Sequence, residues 1–257
     1  HHAAKRFTNP LGGGHMHPNN GEVQIFAHGE WILQHPGYVW KDTSYHNTIL
    51  INGKGQYGEN SEWLEDLPYR CRRKYPLMER AEHHDSWDYC AADLTSAYPE
   101  NTGLTLLRRH ILYIRPDVWI IVDAVRSSKP LVPAQLFHTG FALKKDGSNT
   151  FSGKGSTAAC RMRVHLPGSV KTVMEEQTLL HSSRKPNGKV DLLRITPAGR
   201  GKQHLIVTEI QAFAAGKEKP VDVKINGGAG DRSVRIRTSS AKFQINPFEK
   251  SSGIVVL

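Results

Sequence analysis

The chain has 257 residues, a formal net charge of +10 and a sequence pI near 9.6. This length provides for one large all-β domain or two smaller domains. The basic balance favours a polyanion such as nucleic acid, an anionic membrane or an acidic polysaccharide, unless it is only a generically basic surface. No nucleic-acid-binding signature occurs in the sequence, which argues against nucleic acid.

The cysteines and the N-terminal residues narrow the class. Cys71, Cys90 and Cys160 are widely spaced and odd in number, which fits neither a disulfide framework nor a CxxC metal knuckle. The sequence is compatible with one disulfide, but it does not show which two cysteines would form it. Residues 1–13 contain no apolar signal core and are interpreted as a linker or a tag-derived lead-in. No window approaches the ~18 apolar residues of a membrane span.

Short strands are predicted from the start of the chain. Polar and apolar residues alternate over 22–27, a tight turn follows at 28–30, and residues 31–33 begin the returning strand. Residues 48–51 form a third strand that ends at Asn52-Gly53, a dipeptide typical of hairpin turns.

Residues 54–100 are predicted to form long loops with two strands, around 70–74 and 87–92. A long hairpin follows, with strands over 104–114 and 118–125 around the Arg115-Pro116-Asp117 turn. Further strands are predicted at 134–138, 159–165, 190–195, 203–213, 221–225, 233–238, 241–245 and 253–257. Regular strands without helical periodicity or a fixed repeat indicate stacked antiparallel sheets.

Five of the fourteen histidines lie between Gly14 and Gln56, and they are His15, His17, His28, His35 and His46. Residues two apart on a strand share a face, and neighbouring strands lie ~5 Å apart, so three of these imidazoles can converge on one ion such as Zn²⁺. Their spacing matches no zinc-finger motif, and fourteen scattered histidines also produce chance clusters.

The other histidines are predicted to be structural or exposed. His28 falls in a turn, and His83 and His84 lie among charges, so all three are expected at the surface. His138, at a strand end, is compatible with a place in a site or with a bond to a buried backbone carbonyl, and we expect the carbonyl bond. The sequence has no nucleophile elbow, no P-loop and no H-E-x-x-H, and no carboxylate pair stands out for glycoside hydrolysis.

Two stretches of the sequence resemble a known family. GHMHPNNGEVQIFAHGEWILQHPGY and YHNTILINGKGQ are similar to the C-terminal β-sandwich of heparinase II/III-like polysaccharide lyases, a group acting on heparin, heparan sulfate and alginate. WDYCAADLTSAYPE, LLRRHILYIRPDVWIIVDAV and QLFHTG resemble its later strands. The resemblance is good over residues 12–140 and rests on general β character beyond them.

The resemblance implies an all-β fold, a large antiparallel β-sandwich of stacked sheets over residues 14–257, with a sub-boundary near 140–150. In the family this sandwich is the C-terminal part of a two-part lyase whose N-terminal α/α-toroid supplies most catalytic residues. The resemblance therefore implies a helical partner domain, an acidic polysaccharide substrate and a periplasmic or secreted location.

Matched motif by motif, the resemblance assigns roles to the histidines. His15 corresponds to a histidine that borders the active site, where it binds the substrate carboxylate or assists proton transfer. His17 and His46 correspond to ligands of a zinc ion that is chiefly structural. His35 stands where the family has the aspartate of D-x-G, and Asn19 or Asn20 stands where it has an acidic residue.

Weaker expectations concern tyrosines and arginines. Some members place a tyrosine from between the last two ligands near the substrate, and Tyr45, with Tyr38 as the alternative, is the candidate here. A packing role competes for both tyrosines. Arg108 and Arg109 suit sulfates or carboxylates, although a solvated strand face is the preferred interpretation.

Three functional hypotheses are compatible with the sequence. The leading one is the β-sandwich part of a lyase that cleaves a uronic-acid-containing polymer by β-elimination. The second is a non-catalytic carbohydrate-binding or structural β-sandwich. The third, a cupin-like metal-dependent hydrolase, is less favoured because no carboxylate accompanies the histidines.

Overall fold

The computed structural model describes residues 17–35, 37, 39, 41–59, 75–180, 185–228, 230–231, 233–249 and 253–257. The strands in these ranges are β1 (Ile25–Ala27), β2 (Glu30–Leu33), β3 (Ile49–Ile51), β4 (Leu77–His83), β5 (Trp87–Asp93), β6 (Leu104–Ile114), β7 (Val118–Leu131), β8 (Pro133–Thr139), β9 (Leu143–Lys145), β10 (Thr150–Lys154), β11 (Ala158–Leu166), β12 (Val170–Leu180), β13 (Pro186–Pro197), β14 (Gly201–Ala214), β15 (Lys224–Asn226), β16 (Val234–Arg237), β17 (Lys242–Ile245) and β18 (Ile254–Val256). Short 3₁₀ turns occur at Thr43–Tyr45, Thr95–Ala97 and Glu100–Thr102.

The strands form three stacked sheets and one hairpin. The central sheet has eight strands in the order β4-β5-β6-β7-β14-β11-β10-β9. Four-stranded sheets, β12-β13-β8-β3 and β15-β16-β17-β18, accompany it, and β1 pairs with β2 alone. Every described pairing is antiparallel. The predicted all-β fold of stacked antiparallel sheets is confirmed.

Both faces of the central sheet carry apolar cores. Leu112 and Ile120 pack with Phe243 of the β15–β18 sheet. On the other face, Ile121 packs with Phe137 of the β12-β13-β8-β3 sheet. Strands β6 and β7 are therefore covered on both sides, which explains their nearly continuous runs of Leu, Ile and Val.

The β1–β2 hairpin and β3 position the segments that carry the histidine cluster. Ile25, Ile32 and Leu33 of the hairpin are buried in the same core as Phe137. The hairpin turns at His28 and Gly29, with φ of 52° and 87°, and Asn52 and Gly53 turn with φ of 53° and 74°. Both pairs are left-handed, as two-residue hairpin turns of the primed type require, so the predicted turns are confirmed.

Most strand predictions agree with the structure within a few residues, and β6 has the predicted bounds. Strand β7 runs on to Leu131, beyond the predicted end at residue 125. The structure adds four strands that the sequence patterns did not indicate, β4, β9, β10 and β12. The strand predicted around 70–74 lies outside the described residues.

Two further expectations concern the thiols and the membrane. Cys90 and Cys160 are both free thiols in the structure, and Cys71 lies outside the described residues. No helix in the part of the chain that the structure describes is long and apolar enough to cross a membrane.

Candidate metal centre

Three imidazoles from three segments meet beside the hairpin. His17 precedes β1, His35 lies two residues beyond β2, and His46 follows the 3₁₀ turn that leads to β3. The ring centroids of His17 and His35 are 5.5 Å apart, those of His17 and His46 5.3 Å, and those of His35 and His46 4.8 Å. The predicted convergence of these three side chains is present in the structure.

The nitrogen spacing fits a tetrahedral ion at one edge. His17 Nδ1 and His46 Nε2 are 3.4 Å apart. Two ligands of a tetrahedral zinc ion, each at about 2.0–2.1 Å from it, are about 3.3–3.4 Å apart. The three ligand atoms all lie within 4.8 Å of one another, so His35 needs a shift of roughly an ångström to complete such a site.

Glu22 supplies a carboxylate that sequence reasoning did not find. Its Oε1 lies 3.1 Å from His46 Nδ1, and its Oε2 accepts a hydrogen bond from Asn19 Nδ2 at 2.8 Å. A carboxylate that accepts the Nδ1 proton leaves the Nε2 lone pair of His46 for an ion, the usual carboxylate–histidine–metal arrangement. Asn19, one of the two asparagines that the resemblance places at an acidic position of the family, therefore holds Glu22.

His35 is held in a different state. The Gly37 N–H donates to His35 Nδ1 at 3.0 Å, so the ring proton of neutral His35 lies on Nε2. An ion bound through Nε2 requires this proton to move to Nδ1 and the Gly37 hydrogen bond to open. His35 is therefore the ligand that must rearrange, whereas His46 already has the required tautomer.

Burial keeps His17 and His35 unprotonated at neutral pH. Burial, followed by the neighbouring His46 and His35, lowers the pKa of His17 to about 4. Burial also lowers the pKa of His35. For Glu22, burial alone raises the pKa, but the hydrogen bond and the charge of His46 outweigh it, so the pKa is lowered overall. The site therefore presents the neutral imidazoles of His17 and His35 beside the ionised carboxylate of Glu22, which suits a borderline-soft divalent cation.

Asn47 joins the segments that carry the ligands. Its Nδ2 donates to Val23 O at 2.9 Å and to Gln34 O at 3.1 Å. Its Oδ1 accepts the His138 backbone N–H at 2.6 Å and lies 3.0 Å from His138 Nδ1. The side chain is fully buried, so one amide links the β1 segment, the residue before His35, and strand β8.

Arg109 anchors the same segments to the central sheet. It pairs with Asp123 through two hydrogen bonds of 2.8 and 2.9 Å, with side chains 1% and 0% exposed. Its Nη1 donates to Gly21 O at 2.7 Å and to Asn47 O at 2.9 Å, next to Glu22 and His46. The expected solvated strand face is therefore wrong for Arg109.

The same expectation is wrong for Arg108. Only 4% of its side chain is exposed, and it binds both carboxylate oxygens of Glu79 at 2.5 and 3.1 Å. Its Nη1 also donates to Glu249 O at 3.0 Å. Both arginines lie opposite or near carboxylates in the packed sheets, which explains why they tolerate burial.

The remaining site predictions fall in different places. His15 and Tyr38 lie outside the described residues. Tyr45 is adjacent to His46, and burial, Asp42 and Glu175 raise its pKa. Two nearby carboxylates disfavour an acidic ligand there, and a substrate-binding role for Tyr45 stays a prediction.

The other histidines follow the expectations in part. His83 and His84 are exposed, as expected. His28 is also exposed, as expected, and its Nε2 pairs with Asp117 at 3.2 Å. His138 is fully buried and bonds to the Asn47 side chain. Its Nε2 makes no hydrogen bond of normal geometry, although the Gln177 side chain and the Ser44 carbonyl face it.

Comparison with known proteins identifies the relatives of this architecture. The family model described as "Heparinase II/III-like, C-terminal" matches residues 7–246. None of the curated protein sequences compared with the chain matches it.

Solved structures share the fold at low sequence identity. Heparan sulfate lyase HepC from Pedobacter heparinus superposes with a TM-score of 0.68 at 11% identity, over 95% of this chain and 37% of that chain. A heparinase III with methylated lysines gives a TM-score of 0.67 at 12% identity, over 95% and 36%. Another heparinase III gives 0.67 at 12%, over 89% and 35%. The chain thus spans little more than a third of the length of these lyases.

Proposed function

Because the chain belongs to the heparinase II/III-like, C-terminal family, we propose that it is the β-sandwich part of a polysaccharide lyase. The proposed substrate is an acidic, uronic-acid-containing polymer, and the proposed reaction is β-elimination. The family match over residues 7–246 carries this proposal. The net charge of +10 supports it, since a basic surface attracts a polyanion.

The proposed reaction sets requirements that this chain meets only in part. The substrate carboxylate must be neutralised so that an enolate-like state can form after proton loss at C5. A base must take that proton, and an acid must protonate the leaving glycosidic oxygen. We assign His15 to contact with the substrate and leave the other proton-transfer groups to the helical part that accompanies this sandwich in the family.

For the histidine cluster we propose a zinc site held by His17, His35 and His46, with Glu22 orienting His46. The neutral imidazoles and the 3.4 Å separation of two ligand nitrogens support this assignment. A bound ion would supply a fixed centre that ties together the segments before β1, after β2 and before β3. The proposed role of this ion is chiefly structural.

The lyase proposal is tested on the complete gene product that contains this chain. Incubation with heparan sulfate, heparin, alginate or hyaluronan should generate unsaturated uronate products, which absorb in the near ultraviolet. A His15→Ala variant should lose most of this absorbance, whereas His83→Ala, at an exposed histidine, should keep it. Polymer binding without product in any of the four would instead favour the non-catalytic carbohydrate-binding reading.

The zinc proposal is tested by elemental analysis of the purified chain. About one zinc per chain is expected, and a His17→Ala/His46→Ala variant should lose it. The matched control is His83→Ala/His84→Ala, which removes two exposed histidines and should keep the metal. A folded chain that stays metal-free after incubation with zinc would refute the assignment.

A further inference from the structure

A cleft lies where the ends of several strands meet, at the turn of the β1–β2 hairpin. It has a volume of about 460 Å³. Its walls come from the β6–β7 turn, the end of β14 with the loop after it, and the β16–β17 turn, and His28 of the hairpin lines it too. The volume falls within the range of small-molecule sites, and the three clustered histidines are not among the lining residues.

The rim of the cleft is basic. Arg115, Lys217 and Lys219 line it, and among the described residues that line it Asp117 is the only carboxylate. Asp117 already pairs with His28. Arg115 is balanced by Asp88, with Nη2 and Oδ2 2.7 Å apart.

The two lysines are left without such a balance. Glu218 lies between them in the sequence, but it pairs with Lys154, with Nζ and Oε1 3.6 Å apart. Within the described ranges, neither Lys217 nor Lys219 has a carboxylate partner. An anionic ligand in the cleft would supply the missing counter-charge.

The lining of the cleft also includes apolar side chains and hydroxyl groups. Val118, Phe213 and Val221 contribute the apolar side chains, and Ser239 and Ser240 contribute the hydroxyl groups. A pyranose ring has an apolar C–H face that packs against such side chains, and its hydroxyls match those of the serines. A carboxylate or sulfate on the same ring matches the lysines.

We propose that this cleft is a second saccharide-binding site, which takes one acidic sugar unit of a polymer chain. The choice of an acidic saccharide rests on the proposed function, whereas the site itself rests on the cleft. The site holds the polymer on the sandwich without contributing to bond cleavage. Its loss therefore weakens binding of the polymer and leaves the chemical step unchanged.

The test measures binding of a heparan sulfate tetrasaccharide to the 257-residue chain by calorimetry at 0.1 M salt. Lys217→Ala/Lys219→Ala should weaken binding about tenfold, because two lysine–anion contacts are removed. Both side chains are exposed, so the fold is expected to persist. Lys145→Ala/Lys202→Ala is the matched control, since it removes the same charge from exposed positions outside the cleft and should bind nearly as the parent.

Two further measurements locate the ligand and define its class. Amide chemical shifts should move at Phe213, Ser239 and Ser240 on titration with the tetrasaccharide. Phe213→Leu should weaken binding of the tetrasaccharide more than binding of inorganic sulfate, because only a sugar ring packs against the apolar lining residues. The proposal would be overturned if the control variant weakened tetrasaccharide binding as much as Lys217→Ala/Lys219→Ala does. It would also be overturned if the amide shift changes were confined to the region around His46. Neither result depends on lyase activity or on zinc, so failure of the proposed function would be seen separately.

Discussion

Replacing Asn47 by Ala should remove the hydrogen bonds that join the segments carrying the histidine cluster to each other and to strand β8. The substitution removes both Nδ2 donors and the Oδ1 acceptor. It leaves the carbonyls of Val23 and Gln34 and the backbone N–H of His138 without this partner. The Asn47 side chain is fully buried, so water does not readily replace it.

The expected loss of stability follows from these three groups. A buried polar group left unsatisfied costs about 1–3 kcal/mol, and the Val23 carbonyl and the His138 N–H are buried whereas the Gln34 carbonyl is only partly buried, so Asn47→Ala should lower the free energy of unfolding by about 2–6 kcal/mol. That is a large part of the roughly 5–15 kcal/mol typical of a domain. Urea denaturation at pH 7 measures it, with Asn101→Ala at an exposed asparagine as control.

A second readout separates a local from a general effect. Asn47 joins the segments before β1, after β2 and into β8, so its loss should also lower the zinc affinity measured by chelator competition. The comparison is made well below the denaturation midpoint, where the variant is folded. A stability change under about 1 kcal/mol, together with unchanged metal affinity, would refute this role for Asn47.

Three further predictions concern buried charges near the cluster and in the central sheet. Asp123→Asn leaves the Arg109 guanidinium buried without its carboxylate. It should lower the free energy of unfolding, measured by urea denaturation, by about 3–5 kcal/mol, and Arg109→Met/Asp123→Leu should recover part of that loss. Burial lowers the pKa of His110 to about 4, below the ordinary histidine value of about 6.5. The contribution of His110 to the free energy of unfolding is therefore complete above pH 6.5, and about 3 kcal/mol of it is lost as the pH falls towards 4. His110→Gln should flatten the pH dependence of unfolding in that window, and an unchanged slope would contradict the assignment. Glu22→Gln removes the carboxylate behind His46 and should weaken zinc binding about 10–100-fold in chelator competition, whereas equal affinity would show that Glu22 does not orient the ligand.

The fold was predictable where strands are buried and less so at sheet edges. Strands β6 and β7 are covered on both faces, so apolar β-branched residues mark them clearly. The missed strands β4, β9 and β12 lie at sheet edges, and β10 is next to β9. In β12, Val173 and Met174 are 47% and 41% exposed, so little apolar alternation marks the strand.

The three histidines were predictable as a group, but their supporting residues were not. Glu22 was assigned to the start of a strand, whereas β1 begins at Ile25 and the Glu22 side chain turns towards His46. Its position five residues after His17 was the available signal. Asn47 was passed over because a side chain that bonds mostly to backbone groups leaves no spacing pattern in a sequence.

The partner of Arg109 was within reach of the sequence. The first predicted strand of the hairpin ends at Ile114, and the second begins at Val118. Arg109 lies five residues before Ile114, and Asp123 lies five residues after Val118. The structure pairs these two residues directly across β6 and β7. Opposite charges facing each other on two apolar strands predict a buried ion pair better than a solvated face.

In the proposed metal site, His35 stands where the resemblance places an aspartate in the family, and this changes where the negative charge of the proposed site lies. With two histidines and one aspartate, a carboxylate would touch the ion, but here the carboxylate of Glu22 lies behind His46. One carboxylate is present near the proposed ion in both cases, but here all three proposed ligands would bind it through nitrogen. Hard cations such as Ca²⁺ and Mg²⁺ require oxygen ligands, whereas imidazole suits zinc and its neighbours. His35 and Glu22 together therefore narrow the site towards nitrogen-preferring ions while keeping the counter-charge that a buried divalent cation needs.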